Sequence, residues 1–246
     1  MVEKKYELTD ETTEIGGHIL HRIIALKDFG FIKKGDLGGF IEKEANLSQE
    51  GQCWVYNDAK VYENSLIYGA AQIYIKAIVH GEAEIGDHAR VYMDARVYGN
   101  AHVSDKAIVH GHAEISDNAH VFGKANICGH SKVYGNAQVY DNAIVSNYTI
   151  IYDTARIYGK AIVNGVAEII GNAKVKELSD YMIFQNNWGS GRYFTWTRSN
   201  NMWKVGCFYG TGEELIEKAY KDSEESGRCY ENYVNFVKTF NGKTIN

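Results

Sequence analysis

Hydrophobic and polar residues recur with a period of six through the middle of the chain, from Val55 to Asp180. The first residue of each of the 21 hexads is Val or Ile, and the fifth is Ala in 17 of them and Ser or Thr in the rest. The third and fourth favour Gly, Asp and Asn, which tolerate turn and left-handed backbone conformations. Each hexad therefore predicts a short strand followed by a corner, with the first and fifth side chains pointing inward.

Three such strands close a triangular coil of 18 residues, so the hexads predict seven coils stacked at roughly 4.8 Å. A helical interpretation fails because six matches neither 3.5 nor 3.6 residues, and β-branched residues are poor helix formers. The sequence also contains no proline. Since proline cannot donate a hydrogen bond to a β ladder, its absence suits a chain of continuous sheet.

The hexads resemble the hexapeptide repeat of left-handed parallel β-helix proteins, in which an aliphatic residue and a small residue recur at these positions. They depart from it at the second position, where ten hexads carry tyrosine, which we expect to point outward: Tyr56, Tyr62, Tyr68, Tyr74, Tyr92, Tyr98, Tyr134, Tyr140, Tyr152 and Tyr158. With the preceding segments 35–42 and 46–51, the pattern resembles the YdcK-type β-solenoid family of bacteria and their phages. The resemblance implies a mainly β fold, a left-handed parallel β-helix of about seven triangular coils.

Three regions are predicted. Residues 1–54 form an N-terminal β cap, with a strand from Ile19 to Leu26 and a Gly-rich turn, residues 55–180 form the solenoid, and residues 181–246 form a small α+β module. In that module we predict three strands and two helices, at 181–185, 192–198, 202–209, 213–222 and 228–240. Thr211 is the expected N-cap of the first helix.

Charge and composition exclude several classes of function. The 26 Lys and Arg against 31 Asp and Glu give a net charge of −5, which excludes a general binder of long nucleic acid or of an anionic membrane. With neither a long apolar stretch nor an apolar segment after the first lysines, a cytoplasmic location is expected, in the host if the gene is phage-encoded. Four widely spaced cysteines predict reduced thiols and no metal site.

The histidines of the repeat offer one candidate chemistry. A coil of 18 residues stacks His102 on His120 above Glu84, and His112 on His130 above Asp94. An imidazole oriented by a carboxylate is what a general base requires. Alternatively, these are polar residues tolerated on a surface, because the uninterrupted hexads supply no loop that would enclose a substrate.

The hexapeptide resemblance extends this candidate to acyl transfer. Many left-handed β-helices are trimeric acyltransferases that bind coenzyme A between subunits and use a catalytic histidine. For this chain the resemblance implies, as an alternative function, an acyltransferase dependent on acetyl-CoA or another acyl-CoA. It also implies a homotrimer, whichever function the chain has.

The C-terminal module offers the other candidate chemistry. Residues 181–211 contain three basic residues, no acidic residue, nine aromatic residues and three of the four tryptophans. Aromatic faces and guanidinium groups together bind a nucleobase and its phosphates, while glycines at a turn and at a helix N-terminus suit an anion. The candidate ligand-binding residues are Trp188, Ser190, Arg192, Thr195, Trp196, Arg198, Lys204, Tyr209 and Thr211.

Other interpretations of the same segment remain open. The aromatics can instead form the core of a small cap, with one face of the Arg192–Arg198 strand buried and the other functional. Cys207 is expected to be buried, since no histidine lies nearby in sequence to activate it. The run from Gly189 to Thr211 also resembles a C-terminal module of phage proteins, found appended to repeat domains.

The sequence thus favours a non-enzymatic, oligomeric β-solenoid that binds a small anionic ligand, most simply a nucleotide, without a cofactor. In a phage, the family context implies sequestration of a host signalling nucleotide. The acyltransferase and a purely structural or protein-docking scaffold are the two alternatives.

Overall fold

The computed structural model describes residues 3–241, which form four β-sheets and two α-helices. Three N-terminal strands come first: β1 (Tyr6–Ile15), β2 (His18–Ala25) and β3 (Leu37–Ile41). The repeat then contributes 21 short strands, β4 to β24: Trp54–Val55, Lys60–Val61, Leu66–Ile67, Gln72–Ile75, Ile78–Val79, Glu84–Ile85, Arg90–Met93, Arg96–Val97, His102–Val103, Ile108–Val109, Glu114–Ile115, His120–Val121, Asn126–Ile127, Lys132–Val133, Gln138–Val139, Ile144–Val145, Ile150–Ile151, Arg156–Ile157, Ile162–Val163, Glu168–Ile169 and Lys174–Val175.

Every third strand of the repeat belongs to the same sheet, which confirms the predicted parallel β-solenoid. The first sheet runs β3-β5-β8-β11-β14-β17-β20-β23, the second contains β4 to β22 and the third β6 to β24. Paired residues lie 18 apart, as in Arg96 with Glu114. The amide of one residue donates to the carbonyl 17 residues later, for example Arg96 N to Ala113 O at 2.9 Å. Because β3 adds a strand below the first predicted hexad, the solenoid has about eight turns rather than seven.

The interior is a continuous column of branched and small side chains. Val97, Ala101 and Val103 are fully buried, and so are their counterparts along the repeat. Burial of each Val or Ile contributes roughly 2 kcal/mol before the loss of chain entropy. Where Ser131 or Thr149 replaces the alanine, its hydroxyl donates to the carbonyl three residues earlier, at 2.6 and 2.8 Å. A buried hydroxyl is therefore accommodated without an unpaired polar atom.

The corners depend on a left-handed residue at the third position of each hexad. From Asn57 to Gly171 this residue has φ between 52° and 75°. Only glycine adopts this conformation without strain, and Asn or Asp adopts it at modest cost. An aspartate there gains a further contact: Asp117 accepts a hydrogen bond from the amide of Gly135, one coil later, at 3.0 Å. This geometry explains why Gly, Asp or Asn fills most of these positions, with Glu63, Ile75 and Met93 as exceptions.

The N-terminal segment closes the first coil with an antiparallel hairpin. Strand β2 corresponds to the predicted strand, but β1 was not predicted, because its run of Thr and Glu lies half exposed at the sheet edge and lacks a clear apolar alternation. Lys5 is buried, and its amine donates to the Cys53 carbonyl at 3.0 Å. Loss of hydration lowers the pKa of this lysine.

The C-terminal module consists of β25 (Tyr181–Gln185), β26 (Tyr193–Thr197), β27 (Met202–Val205), β28 (Phe208–Gly210), α1 (Gly212–Asp222) and α2 (Glu224–Asn241). The single strand predicted for 202–209 is in fact an antiparallel pair, because Gly206, with φ of 55°, makes a tight turn. Helix α2 begins four residues before the predicted start, directly after the Ser223 C-cap of α1. Neither helix within residues 3–241 is long and apolar enough to cross a membrane.

Ile75 and Met93 depart from the corner pattern, since both are bulky residues with positive φ, of 67° and 62°. We predict that Ile75→Asn raises the free energy of unfolding by about 1 kcal/mol, because asparagine tolerates the left-handed region better than a β-branched residue. One coil earlier, Asn57 already holds the equivalent position and accepts from Ile75 N at 3.3 Å. Denaturant titration measures the gain. Ile78→Asn, in ordinary strand geometry, is the control and should not stabilise; an equal change in both variants would contradict the strain argument.

Candidate functional site

The predicted ligand-binding tryptophan of β26 is structural. Trp196 is completely buried beside Phe194 and Trp203, and these rings pack under α1 and α2. The indole nitrogen of Trp196 donates to the Asn201 side chain at 3.0 Å. Trp188 lies half buried, with its ring 5.0 Å from that of Tyr230. The aromatic residues therefore form the core of the module, as the simpler interpretation of the sequence held.

The opposite face of the sheet is covered as well, by the last coil of the solenoid. The Thr195 hydroxyl accepts from the amide of Glu168 at 3.1 Å, and Lys204 lies 3.4 Å from the Glu168 carboxylate. The Ser199 hydroxyl accepts from the amide of Lys174 at 2.6 Å. The face of this strand that alternation left available for function is therefore occupied at Thr195, because an exposed coil end must be capped and the polar residues of β26 and β27 cap it.

Three further candidate residues also have structural partners. The backbone amide of Arg198 donates to Asp180 O at 2.8 Å, and its guanidinium lies 5.3 Å from the Phe240 ring. The Tyr209 hydroxyl accepts from the Asn200 amide at 3.1 Å, and burial raises the pKa of this phenol. Thr211 is the N-cap of α1, as predicted, and its hydroxyl accepts from Glu214 N. Because the Glu214 carboxylate in turn accepts from Thr211 N at 2.8 Å, an acid already occupies this helix N-terminus.

Ser190 and Arg192 differ from the other candidates, because both are exposed and line a cleft of about 300 Å³. We call this the C-terminal cleft. It lies between the β26–β28 sheet and helices α1 and α2. Its remaining lining residues are Asn186, Val205, Gly206, Cys207, Phe208, Leu215, Lys218, Ala219, Asp222, Ser226 and Tyr230.

The basic groups of the C-terminal cleft come from different elements. Arg192 precedes β26, and Gly206 allows its guanidinium to come close, since a Cβ at Gly206 would lie 3.1 Å from Arg192 Nη1. Lys218 extends from α1, with its amine 5.9 Å from the Phe208 ring. Asp222 is the one acidic residue among the described lining residues of the cleft. Two cations against one carboxylate leave a positive balance in a protein whose overall charge is −5.

Polar groups without charge complete the C-terminal cleft. The Tyr230 hydroxyl accepts from Asn186 Nδ2 at 3.2 Å, which leaves its own proton available as a donor. Burial raises the pKa of Tyr230, so the phenol stays protonated at neutral pH. Asn186 Oδ1 is buried and has no hydrogen-bond partner among residues 3–241.

Sequence reasoning missed Lys218, Tyr230 and Asn186 as lining residues. The helical spacing of Leu215 and Ala219 marks the buried face of α1, and Lys218 lies beside that face, which is the signal that could have found it. Cys207 was expected to be buried but is exposed in the cleft, because it lies in the turn between β27 and β28. All four cysteines are free thiols.

The histidine columns form as the 18-residue coil predicts. The rings of His102 and His120 are stacked 4.9 Å apart, and those of His112 and His130 are 4.7 Å apart. Glu84 lies 3.5 Å from His102 Nδ1. Burial, together with the neighbouring His102, lowers the pKa of His120. Within residues 3–241, no three His, Cys, Asp or Glu side chains come together in a way that would hold a metal ion.

A second cleft lies where the N-terminal segment passes beside the solenoid. The loop around Phe31, a residue that is 93% exposed, and the first coils enclose about 330 Å³. Among residues 3–241, this loop cleft is lined by His88, Arg90 and Lys106 and by no carboxylate. The hexads themselves contain no insertion that could enclose a ligand, but the N-terminal segment forms one wall of this cleft.

The repeat is similar to known β-solenoids. Residues 95–111 and 137–153 match the YdcK beta solenoid repeat. A protein described as "Uncharacterized acetyltransferase YdcK", from Escherichia coli strain K12, is 33% identical over 78 residues. The matching segment covers 28% of this chain and 22% of that protein, so the two comparisons support a YdcK-like β-solenoid over part of the chain.

Substitutions at a buried and at an exposed candidate residue should differ in their effect on stability. Trp196→Ala should lower the free energy of unfolding by about 3–5 kcal/mol, because it empties a buried site. Arg192→Ala should change it by less than about 0.5 kcal/mol, because the side chain is exposed. Chemical denaturation followed by tryptophan fluorescence measures both. An Arg192→Ala variant as unstable as Trp196→Ala would show that Arg192 is structural too.

Proposed function

We propose that this β-solenoid binds a small anionic ligand, a nucleotide in the first instance, in the C-terminal cleft and does not transform it. The observation that carries the proposal is the convergence of Arg192 and Lys218 on one cleft from separate elements. A guanidinium binds phosphate through two parallel hydrogen bonds, and an ammonium adds a mobile point charge. Tyr230 and Ser190 add hydroxyl donors beside them.

The form of the site favours binding over catalysis. Its reactive group is the thiol of Cys207, and within the described lining residues no histidine accompanies it. A nucleophilic cysteine requires a base or a lowered pKa. The solenoid then acts as a rigid support that displays the module, and in a phage such a protein would sequester a host signalling nucleotide.

The test is the affinity for a nucleotide after loss of the two cations. Adenosine diphosphate is titrated calorimetrically into the native chain and the Arg192→Ala/Lys218→Ala variant, with inorganic phosphate as a second probe. Each charge-assisted hydrogen bond contributes about 1.5–3 kcal/mol, so Kd should rise at least about tenfold. Lys221→Ala is the matched control, because Lys221 lies on the same helix and pairs with Glu217 at 2.7 Å outside the cleft.

Unchanged affinity in the double variant would overturn the proposal. The same follows if Arg90→Ala/Lys106→Ala abolishes binding and the first variant does not, because the loop cleft would then be the site. The proposal is supported if inorganic phosphate displaces the nucleotide from the native chain and the Arg192→Ala/Lys218→Ala variant no longer binds it.

A second candidate is acyl transfer from acetyl-CoA, and two observations favour it. The Escherichia coli protein that is 33% identical over 78 residues is described as an uncharacterized acetyltransferase. The loop cleft also presents three basic side chains, which suit the phosphates of an acyl-CoA. The homotrimer and the left-handed winding expected from the hexapeptide resemblance are part of the proposal for either candidate function.

Acyl transfer predicts a base in one histidine column, which would take the proton of an acceptor hydroxyl or amine as that group bonds to the acetyl carbon and coenzyme A leaves as its thiol. His102→Ala should lower thiol release from acetyl-CoA by about 10²–10⁴-fold, because Glu84 orients that imidazole, while His112→Ala serves as the control in the other column. A thiol-reactive dye measures the release of coenzyme A. Release no faster than in buffer, or an equal loss in both variants, would eliminate the histidine as catalyst.

A further inference from the structure

Stacked aromatic rings run along the outside of the first sheet. Tyr62 and His80 lie 4.9 Å apart, His80 and Tyr98 lie 5.2 Å apart, and Tyr134 and Tyr152 lie 4.9 Å apart, all within 8° of parallel. We call these five residues the aromatic column. Each stands at the second position of a hexad, so the backbone register alone brings the rings face to face.

The aromatic column has one missing ring. Ser116 stands between Tyr98 and Tyr134, each one coil away. The backbone is unbroken there, since Tyr98 N donates to Ile115 O at 2.9 Å and Ser116 N donates to Val133 O at 3.0 Å. Two coil steps of roughly 4.8 Å therefore separate the flanking rings, and one planar ring fits between them at the spacing of the column.

The gap is an open cleft of about 340 Å³ with a polar border. Its lining residues are Tyr98, Glu114, Ser116, Asp117, Lys132 and Tyr134. Lys132 pairs with Glu114 at 3.1 Å, and the Asp117 carboxylate lies on the corner side. Ser116 is 7% exposed, at the base of the gap. Burial and nearby carboxylates raise the pKa of Tyr134, which keeps its phenol neutral.

We propose that this gap binds a single planar, nitrogen-bearing aromatic ring, which completes the aromatic column between Tyr98 and Tyr134. The gap is lined by two carboxylates and by one lysine that is already paired. It therefore favours a neutral or cationic ring whose N–H groups donate hydrogen bonds, and it disfavours a phosphate. The site is separate from the C-terminal cleft and independent of the function proposed there. Proteins that bind nucleobases without sequence preference also stack them on aromatic side chains.

The probe is 2-aminopurine, whose fluorescence is quenched when it stacks. We expect quenching by the native chain and a Kd at least tenfold weaker for Ser116→Tyr, in which a tyrosine fills the missing position. Ser146→Tyr is the matched control. Ser146 has the same hexad position, but its column neighbours are Cys128 and Asn164, so quenching should match that of the native chain.

Circular dichroism melting of each variant verifies the fold. A second variant, Tyr134→Leu, removes one flanking ring and should also weaken binding at least tenfold. Absence of quenching by the native chain, or equal quenching by native and Ser116→Tyr proteins, would overturn the proposal. Loss of quenching in Ser116→Tyr and Tyr134→Leu alone supports it.

Discussion

The backbone hydrogen bond from each strand to the carbonyl 17 residues later is the constraint on which the other features depend. It holds only if every hexad turns its corner identically, which the left-handed third residue ensures, and if the interior is filled evenly by Val, Ile and Ala. With the coil length fixed at 18 residues, every outward side chain gains a defined neighbour above and below. The histidine columns, the aspartates that bind the next amide and the aromatic column are all consequences of that one register.

The candidate sites arise where the register is interrupted or ends. The C-terminal cleft is formed by a module whose polar strand residues are occupied in capping the last coil, so its ligand groups come from the loop before β26 and from α1 and α2. The loop cleft forms where the N-terminal segment leaves the first coil. The third site needs no added element, because a serine in place of an aromatic residue opens the aromatic column. The candidate binding sites of this regular solenoid thus lie where a single residue or an added segment departs from the repeat.

The period of six was sufficient to predict the solenoid, its sheet assignment and the stacking of His102 on His120, because those follow from local sequence. It could not predict that both faces of β26 are covered. The alternation of the strand places Thr195 and Trp196 on opposite faces. It does not reveal that the last coil covers Thr195 and that the helices cover Trp196. For the same reason Lys218 and Tyr230, distant in sequence from Arg192, escaped notice. Tertiary packing, rather than residue type, decides which basic and aromatic groups remain accessible.

The most direct test of this account is cross-linking along one column. In a chain carrying Cys207→Ser and Cys229→Ser, the variant Ser146→Cys places a thiol directly beside Cys128, because β16 pairs with β19 in parallel register. A short reagent that fluoresces only after joining two thiols should link this pair rapidly. Ser104→Cys, at the same hexad position on the third sheet, should remain unlinked. Equal cross-linking of both variants, or of neither, would contradict the 18-residue register from which the sites are derived.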